Sequence, residues 1–162
     1  MKKTDLDATD IRILDAVQRN GPLSKGQLAE IVNLSPTPCL VRLNRLKAAG
    51  LIRGYHADIA LDRIGDFTRV VVTVSLGQHR KSDFDRFEAY VQALDAVTEC
   101  IATGGGMDYV MTMICPSLAD FQRMMEAMLD AGLGIERYMT YIATRQIKST
   151  RPNLPRLVVS GD

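Results

Sequence analysis

The sequence predicts an α+β protein in two parts, a small helical head followed by a β-α-β-β-α-β body. Three observations carry this. The first 50 residues contain three segments with apolar residues at helical spacing, each opened by a capping residue. From about Asp66 the texture changes to β-branched runs that alternate with two further helical stretches. Two of those runs are joined by Gly104-Gly105-Gly106, which suits a tight turn between neighbouring strands. The expected boundaries are 1–63 for the head with its linker, 64–150 for the body and 151–162 for a C-terminal tail.

In the head, "TDIRILDAVQRNG" places Ile11, Leu14 and Val17 on one stripe, with Ile13 and Ala16 beside it. Thr9 or Asp7 caps its start, and Asn20-Gly21-Pro22 stops it. In "SKGQLAEIV", Ser24 is the cap, Leu28, Ile31 and Val32 form the apolar face, and Asn33 ends the helix. The third segment, "LSPTPCLVRLNRLKAAG", has Ser35 as N-cap and Pro36 at the first helical position, where a missing N–H costs nothing. Pro38 still lies in the first turn and is tolerated there. At about 100° per residue, Cys39, Leu43, Leu46 and Gly50 share one side, the core side. Thr37, Val41, Asn44 and Ala48 share the other, with Arg42 and Arg45 flanking them. "GLIRGYHADI" follows, β-rich around Gly54, and reads as a wing or a connecting hairpin.

The body opens with the strand "FTRVVVTVSL". Then comes the helix "SDFDRFEAYVQAL", with Ser82 as cap and Phe84, Phe87, Tyr90, Val91 and Leu94 at helical spacing. "VTECIAT" and "YVMTMIC" are the strands around the glycines, "SLADFQRMMEAML" is a helix capped by Ser117, and "IERYMTYIATRQI" is a long last strand. This order is ferredoxin-like. Val70, Val72 and Val74 point one way and Val71 the other, and Tyr109, Met111 and Met113 alternate similarly. Apolar residues on both faces predict that the second face is covered, most simply by another subunit's sheet. Pro152 and Pro155 mark the tail.

Composition narrows the function. No apolar run approaches the roughly 18–20 residues of a membrane span, and the N-terminus turns acidic after Lys2 and Lys3 without a secretory apolar segment, so a cytoplasmic location is expected. Cys39, Cys100 and Cys115 contain no C-x-x-C pair and are expected to be small buried residues. His56 and His79 have no second ligand at metal spacing, and neither metal nor cofactor is expected. A pairing of Cys100 or Cys115 with His79 as a nucleophile lacks any accompanying constellation, which argues against an enzyme. The net charge is only +1, but residues 1–63 carry ten Lys/Arg against seven Asp/Glu. No acid stands between Glu30 and Asp58, whereas Arg42, Arg45, Lys47 and Arg53 all do. One basic patch on a near-neutral chain suits a polyanion.

Helix, short helix, tight turn and a capped helix with a polar outer face is the helix-turn-helix pattern. Thr37, Val41 and Asn44 would reach base edges, Asn suiting adenine and Val a thymine methyl. Arg42, Arg45, Lys47 and Arg53 would hold phosphates, as would free N–H groups at the helix start near Ser35.

"LDATDIRIL", "LSPTPCLVRLNRL" followed by "GLIRGY", and "TGGGMDYVM" together resemble the Lrp/AsnC family of bacterial transcription regulators, in order from about Leu6 to about Lys148. The resemblance implies an N-terminal winged helix-turn-helix and a ferredoxin-like domain that dimerises, assembles to tetramers or octamers, and binds amino acids. It places the helix-turn-helix at Lys25 to Asn44 and the recognition helix at Ser35 to Ala49. The implied DNA-binding set is Lys25, Ser35, Pro36, Thr37, Pro38, Leu40, Val41, Arg42, Asn44, Arg45, Lys47 and Arg53.

On the residues alone, the loop "TGGGMDY" reads as a hairpin needing glycine, or as backbone donors for a carboxylate with Asp108 for an α-ammonium. The family loop Gly-x-(Tyr/Phe)-Asp-(Tyr/Phe) contributes to effector binding between subunits. By resemblance it implicates Gly104, Gly105, Gly106, Met107, Asp108 and Tyr109, with Thr140 and Thr144 on the last strand. Gly106 stands where a charged or polar residue is common, and Met107 replaces the usual aromatic. The expected function is an amino-acid-responsive, sequence-specific regulator that binds double-stranded DNA as a homo-oligomer in the cytoplasm, associated with the nucleoid. The alternatives are an effector-independent DNA organiser and a stand-alone amino-acid sensor.

Overall fold

The computed structural model describes residues 5–159. The two N-terminal lysines and the last three residues of the expected tail lie outside that range. The chain forms two compact units: one combines the residues up to Ile59 with those from Lys148 onward, and the other is Ala60–Ile147.

The head is built on α1 (Ala8–Asn20), α2 (Lys25–Val32) and α3 (Pro36–Ala48). Of the two possible caps on α1, Asp7 is the one used. Its carboxylate accepts the Asp10 N–H at 2.8 Å, and the Asp10 carboxylate accepts the Asp7 N–H at 3.2 Å, a reciprocal capping box. Ser24 and Gln27 close the same box on α2. Asn33 ends α2 in the left-handed region, at φ 56°, a conformation asparagine tolerates better than most residues. Ser35 occupies the N-cap of α3 but makes no cap hydrogen bond. A physical reason is at hand: Pro38, three residues on, has no N–H to give. Ile13, Leu28, Val32, Cys39, Leu43 and Leu46 meet in the core, with Ile52 packed against it.

Two expectations about the head change. The stretch read as a wing or hairpin forms no strand, and Tyr55 and Ile59 are exposed there. A strand needs a partner ladder to be stable, and no described segment provides one. The tail contains a short helix, α6 (Leu154–Val159), which packs on α1. The Gln18 amide donates to the Pro152 carbonyl at 2.6 Å.

The body begins with a 3₁₀ turn at Leu61–Arg63. It continues as β1 (Thr68–Leu76), α4 (Lys81–Gln92), β2 (Val97–Ala102), β3 (Tyr109–Cys115), α5 (Leu118–Asp130) and β4 (Ile135–Ile142). Arg80, not Ser82, takes the N-cap of α4: its carbonyl accepts from Asp83 and Phe84, so the first turn has already begun at Ser82. The last strand ends at Ile142, short of the expected Ile147. The sheet order is β2-β3-β1-β4, antiparallel throughout, which is the ferredoxin-like arrangement.

The register sorts the sheet into two faces, because directly paired residues point the same way. On the helix-covered face, Val70, Val72 and Val74 pair with Met113, Met111 and Tyr109, and all six are buried with Phe87, Phe121 and Met125. Tyr109, Met111 and Met113 therefore belong to this core and not to the second face. The open face carries Val71, Thr73, Val110, Ile101, Met139 and Tyr141. Of these, Ile101, Met139 and Tyr141 are about half exposed. The Thr73 hydroxyl is buried without a partner among the described residues.

Candidate functional site

Helix α3 presents the row expected from its period. Thr37, Leu40, Val41 and Asn44 are exposed, Val41 at 64%, while Cys39, Leu43 and Leu46 are buried. Lys25 at the start of α2, the solvent-facing residues Ser35, Pro36 and Pro38, and Arg53 beyond α3 are exposed too. Lys47 lies over the Tyr55 ring, 5.7 Å from its centroid. Pro36 and Pro38 remove two of the amide donors that a helix start normally offers, so the phosphate-binding capacity of this end is smaller than that of an ordinary N-terminus.

The acid-free character of α3 is a property of the sequence window and not of the folded surface. Two carboxylates reach α3 from the first turn of α1. Asp10 is buried, with 1% of its side chain exposed. Its Oδ1 accepts from Arg42 at 2.9 Å and its Oδ2 accepts from Arg45. Asp7 Oδ2 accepts from the same Arg42 nitrogen at 2.6 Å. Burial pushes the Asp10 carboxyl up, but the hydrogen bonds from Arg45, the Asp7 backbone and Arg42 outweigh it and hold the group below its ordinary value. The Asp10 backbone N–H and Arg42 hold Asp7 low as well. Arg45 remains 52% exposed and Arg42 34%.

In the body, the glycine loop is a folded hairpin. Gly105 alone of its three glycines has a positive φ, 120°; a Cβ at Gly104 or Gly106 would meet nothing within 4 Å. Thr103 closes the turn, its N–H donating to the Asp108 carbonyl at 2.8 Å and its hydroxyl to the Met107 carbonyl at 2.6 Å. Asp108 has both carboxylate oxygens engaged: Oδ2 accepts the Leu76 N–H at 2.7 Å, and Oδ1 lies 3.1 Å from His79 Nε2. The Gly106 carbonyl accepts from Ser75 and Arg137, each at 3.4 Å.

Ser75, His79 and Arg137 thus surround the loop, and sequence spacing did not single them out for it. Thr140 sits on β4 opposite Val72, and Thr144 lies beyond the strand's end. The Tyr109 ring is buried 4.5 Å from Phe87, and its hydroxyl donates to Glu88 at 2.7 Å. Burial, then the Glu88 hydrogen bond, pushes this phenol far above its usual range. Glu88, Gln92, Cys100, Ala102 and Tyr109 line an open cleft of about 270 Å³ between α4 and β2. Cys100 is exposed, contrary to expectation, because β2 is an edge strand; Cys39 and Cys115 are buried. Among the described residues there is no cluster of potential metal ligands, and no helix long and apolar enough to cross a membrane.

Comparison with known proteins covers both units. Residues 6–53 match the model for winged helix-turn-helix DNA-binding, and residues 69–153 match the model for the Lrp/AsnC ligand binding domain. The transcriptional regulatory protein DoeX of Halomonas elongata is 42% identical over 143 residues, 88% of this chain and 90% of that protein. The leucine-responsive regulatory protein of Haemophilus influenzae is 34% identical over 145 residues, 90% of this chain and 87% of its own length. Among solved structures, a transcriptional regulator from Neisseria meningitidis in complex with L-Met superposes with a TM-score of 0.82 at 32% identity, covering 90% of this chain and 94% of that one.

Proposed function

Because this chain belongs to the Lrp/AsnC family of transcription regulators, we propose that α3 enters the major groove of duplex DNA and that an amino acid bound at the body's glycine loop modulates this binding. The observation that carries the reading is the exposed row Thr37, Val41 and Asn44 on a helix whose core side is packed and whose Arg42/Arg45 flank is clamped. These side chains suit a thymine methyl and an adenine edge. Lys25, Lys47 and Arg53 supply phosphate contacts, with Arg45 contributing through the part of its guanidinium left exposed.

The open sheet face supports a homodimer. Val71, Val110, Ile101, Met139 and Tyr141 form an apolar surface that a second copy of the sheet would cover. A two-fold dimer presents paired α3 helices to half-sites about 34–36 Å apart or a multiple of that. Val71→Asp should shift the protein from dimer to monomer in sedimentation velocity; an unchanged sedimentation coefficient would move the interface elsewhere.

For the effector, Asp108 suits an α-ammonium, and Arg137 with the loop amides suits a carboxylate. The L-Met complex of the meningococcal relative supports an amino-acid ligand, and methionine is the first to try. A second reading, the effector-independent DNA organiser, draws support from Asp108: Leu76 and His79 already use both its oxygens. A thermal-shift panel of the twenty amino acids separates the two. A ligand at 100 times its Kd stabilises by about 2.7 kcal/mol, whereas a flat panel favours the organiser. Duplex binding measured across salt concentrations tests the DNA reading, since each phosphate contact adds about 0.9 to the slope of log K against log salt.

A further inference from the structure

The pairing between α1 and α3 bears on how the reading helix is aimed. Arg42 and Arg45 occupy one flank of α3, between the exposed row and the core side, while Lys47 lies on the opposite flank. Both arginines converge on a single buried carboxylate. Each Asp10 oxygen takes one of them, and Asp7 takes Arg42 a second time. Asp10 is itself fixed at the third position of α1 by its hydrogen bond to the Asp7 backbone. Two attachments three residues apart restrain both the rotation of α3 about its axis and its slide along α1. Leu43 and Leu46 pack the core side of α3, and the two ion-paired attachments add directional restraint on the flank that this packing leaves open.

We propose that Asp10 is a positioning residue for DNA recognition: from α1 it sets the rotation of α3, and with it the direction in which Thr37, Val41 and Asn44 face, while withholding Arg42 from the phosphates. The proposal rests on the reading of α3 as the groove-entering helix. It divides the basic residues of this region into two kinds. Lys25, Lys47 and Arg53 act on affinity, Arg42 acts on aim, and Arg45 does both, because half of it is exposed.

Aim and charge respond oppositely when the carboxylate is neutralised. Asp10→Asn keeps the size of the side chain, but it removes the charge that two arginines share and sets an amide N–H against one of them. Arg45 then becomes available to phosphate on any sequence, Arg42 is left to Asp7 alone, and the reading row loses its fixed direction.

The test uses the full-length protein, a duplex selected by the wild type from a randomised pool, and a scrambled duplex of the same composition. For Asp10→Asn we expect the ratio of selected to scrambled affinity to fall at least tenfold, while the salt slope on the scrambled duplex steepens by one phosphate contact, about 0.9, from Arg45. Simple loss of folded protein would lower both affinities together and leave the slope unchanged. Arg42→Met provides an independent arm if Asp10→Asn folds poorly. It should lower discrimination with an unchanged salt slope, whereas an arginine bound directly to phosphate would lose about 0.9 of slope. Retained discrimination in either folded variant, or a slope lost in Arg42→Met, overturns the proposal. A wild type that selects no sequence overturns the DNA reading itself and the proposal with it.

Discussion

The two units hold their central elements by different means. In the body, β1 is fixed by apolar packing: Val70, Val72 and Val74 lie under Phe87, Phe121 and Met125 without any ion pair among them. In the head, α3 has a smaller apolar contact through Cys39, Leu43 and Leu46, supplemented by carboxylates on its flank. Apolar packing is indifferent to pH, while the ionic clamp depends on the charge of its carboxylates. The head, which would have to face a charged partner at a defined angle, is the unit that uses the clamp. The body, which needs a rigid sheet, is the unit that relies on packing.

The largest test of this contrast is Phe87→Ala. It should destabilise the body by about 3–5 kcal/mol, read from urea denaturation, and leave the Asp7/Asp10 contacts unaffected. A loss below about 1 kcal/mol would mean that the body is not held by this core. The corresponding head substitution, Leu46→Ala, should cost about 2–5 kcal/mol and be seen as faster hydrogen exchange in α1 to α3.

Acid should separate the units next. Asp7 and Asp10 are held below the ordinary carboxyl value of 3.8, so the unfolded chain binds their protons more readily than the folded head does. Their contribution is complete above that value and drains away as pH falls through the depressed one. Hydrogen exchange should therefore rise in α1 and α3 before it rises in the sheet as pH is lowered below 4; simultaneous loss would show that the clamp does not matter. Alkali acts on the body through Tyr109, whose raised phenol contributes below the ordinary value of 10 and is lost as pH climbs beyond it.

The smallest effect compares two serines. Ser24→Ala should cost about 1 kcal/mol, because its hydroxyl caps α2. Ser35→Ala should change stability by less than about 0.5 kcal/mol, since Ser35 caps nothing. Equal costs would contradict the assignment of Pro38 as the reason for the missing bond.

Much of the fold was legible because it depends on neighbours in sequence. The 3.6-residue stripes of α1 and α3 and the alternation of β1 are local patterns, and each element came out close to its expected place. What the sequence hid depends on distant residues. The acid-free interval around Arg42 and Arg45 suggested free cations, and only the fold brings Asp7 and Asp10 to them across more than 30 residues. The one available signal was Asp7 and Asp10 three apart in a helix's first turn, which reads equally well as capping. Tyr109 followed the loop motif, yet pairing with Val74 turns it into the core. His79 and Arg137 reach Asp108 and Gly106 from other elements, and nothing in their own surroundings announces this. The strandless stretch after α3 and the helix α6 in the tail were hidden for a related reason, because a strand or a short helix takes its stability from whatever it docks against.

The return of the chain at Lys148 to the unit that contains α3 has a practical side. The segment from Lys148 belongs to the unit that contains α3, not to the one that contains the sheet. An expression fragment stopped at residue 60 would lack α6, the segment that packs on α1.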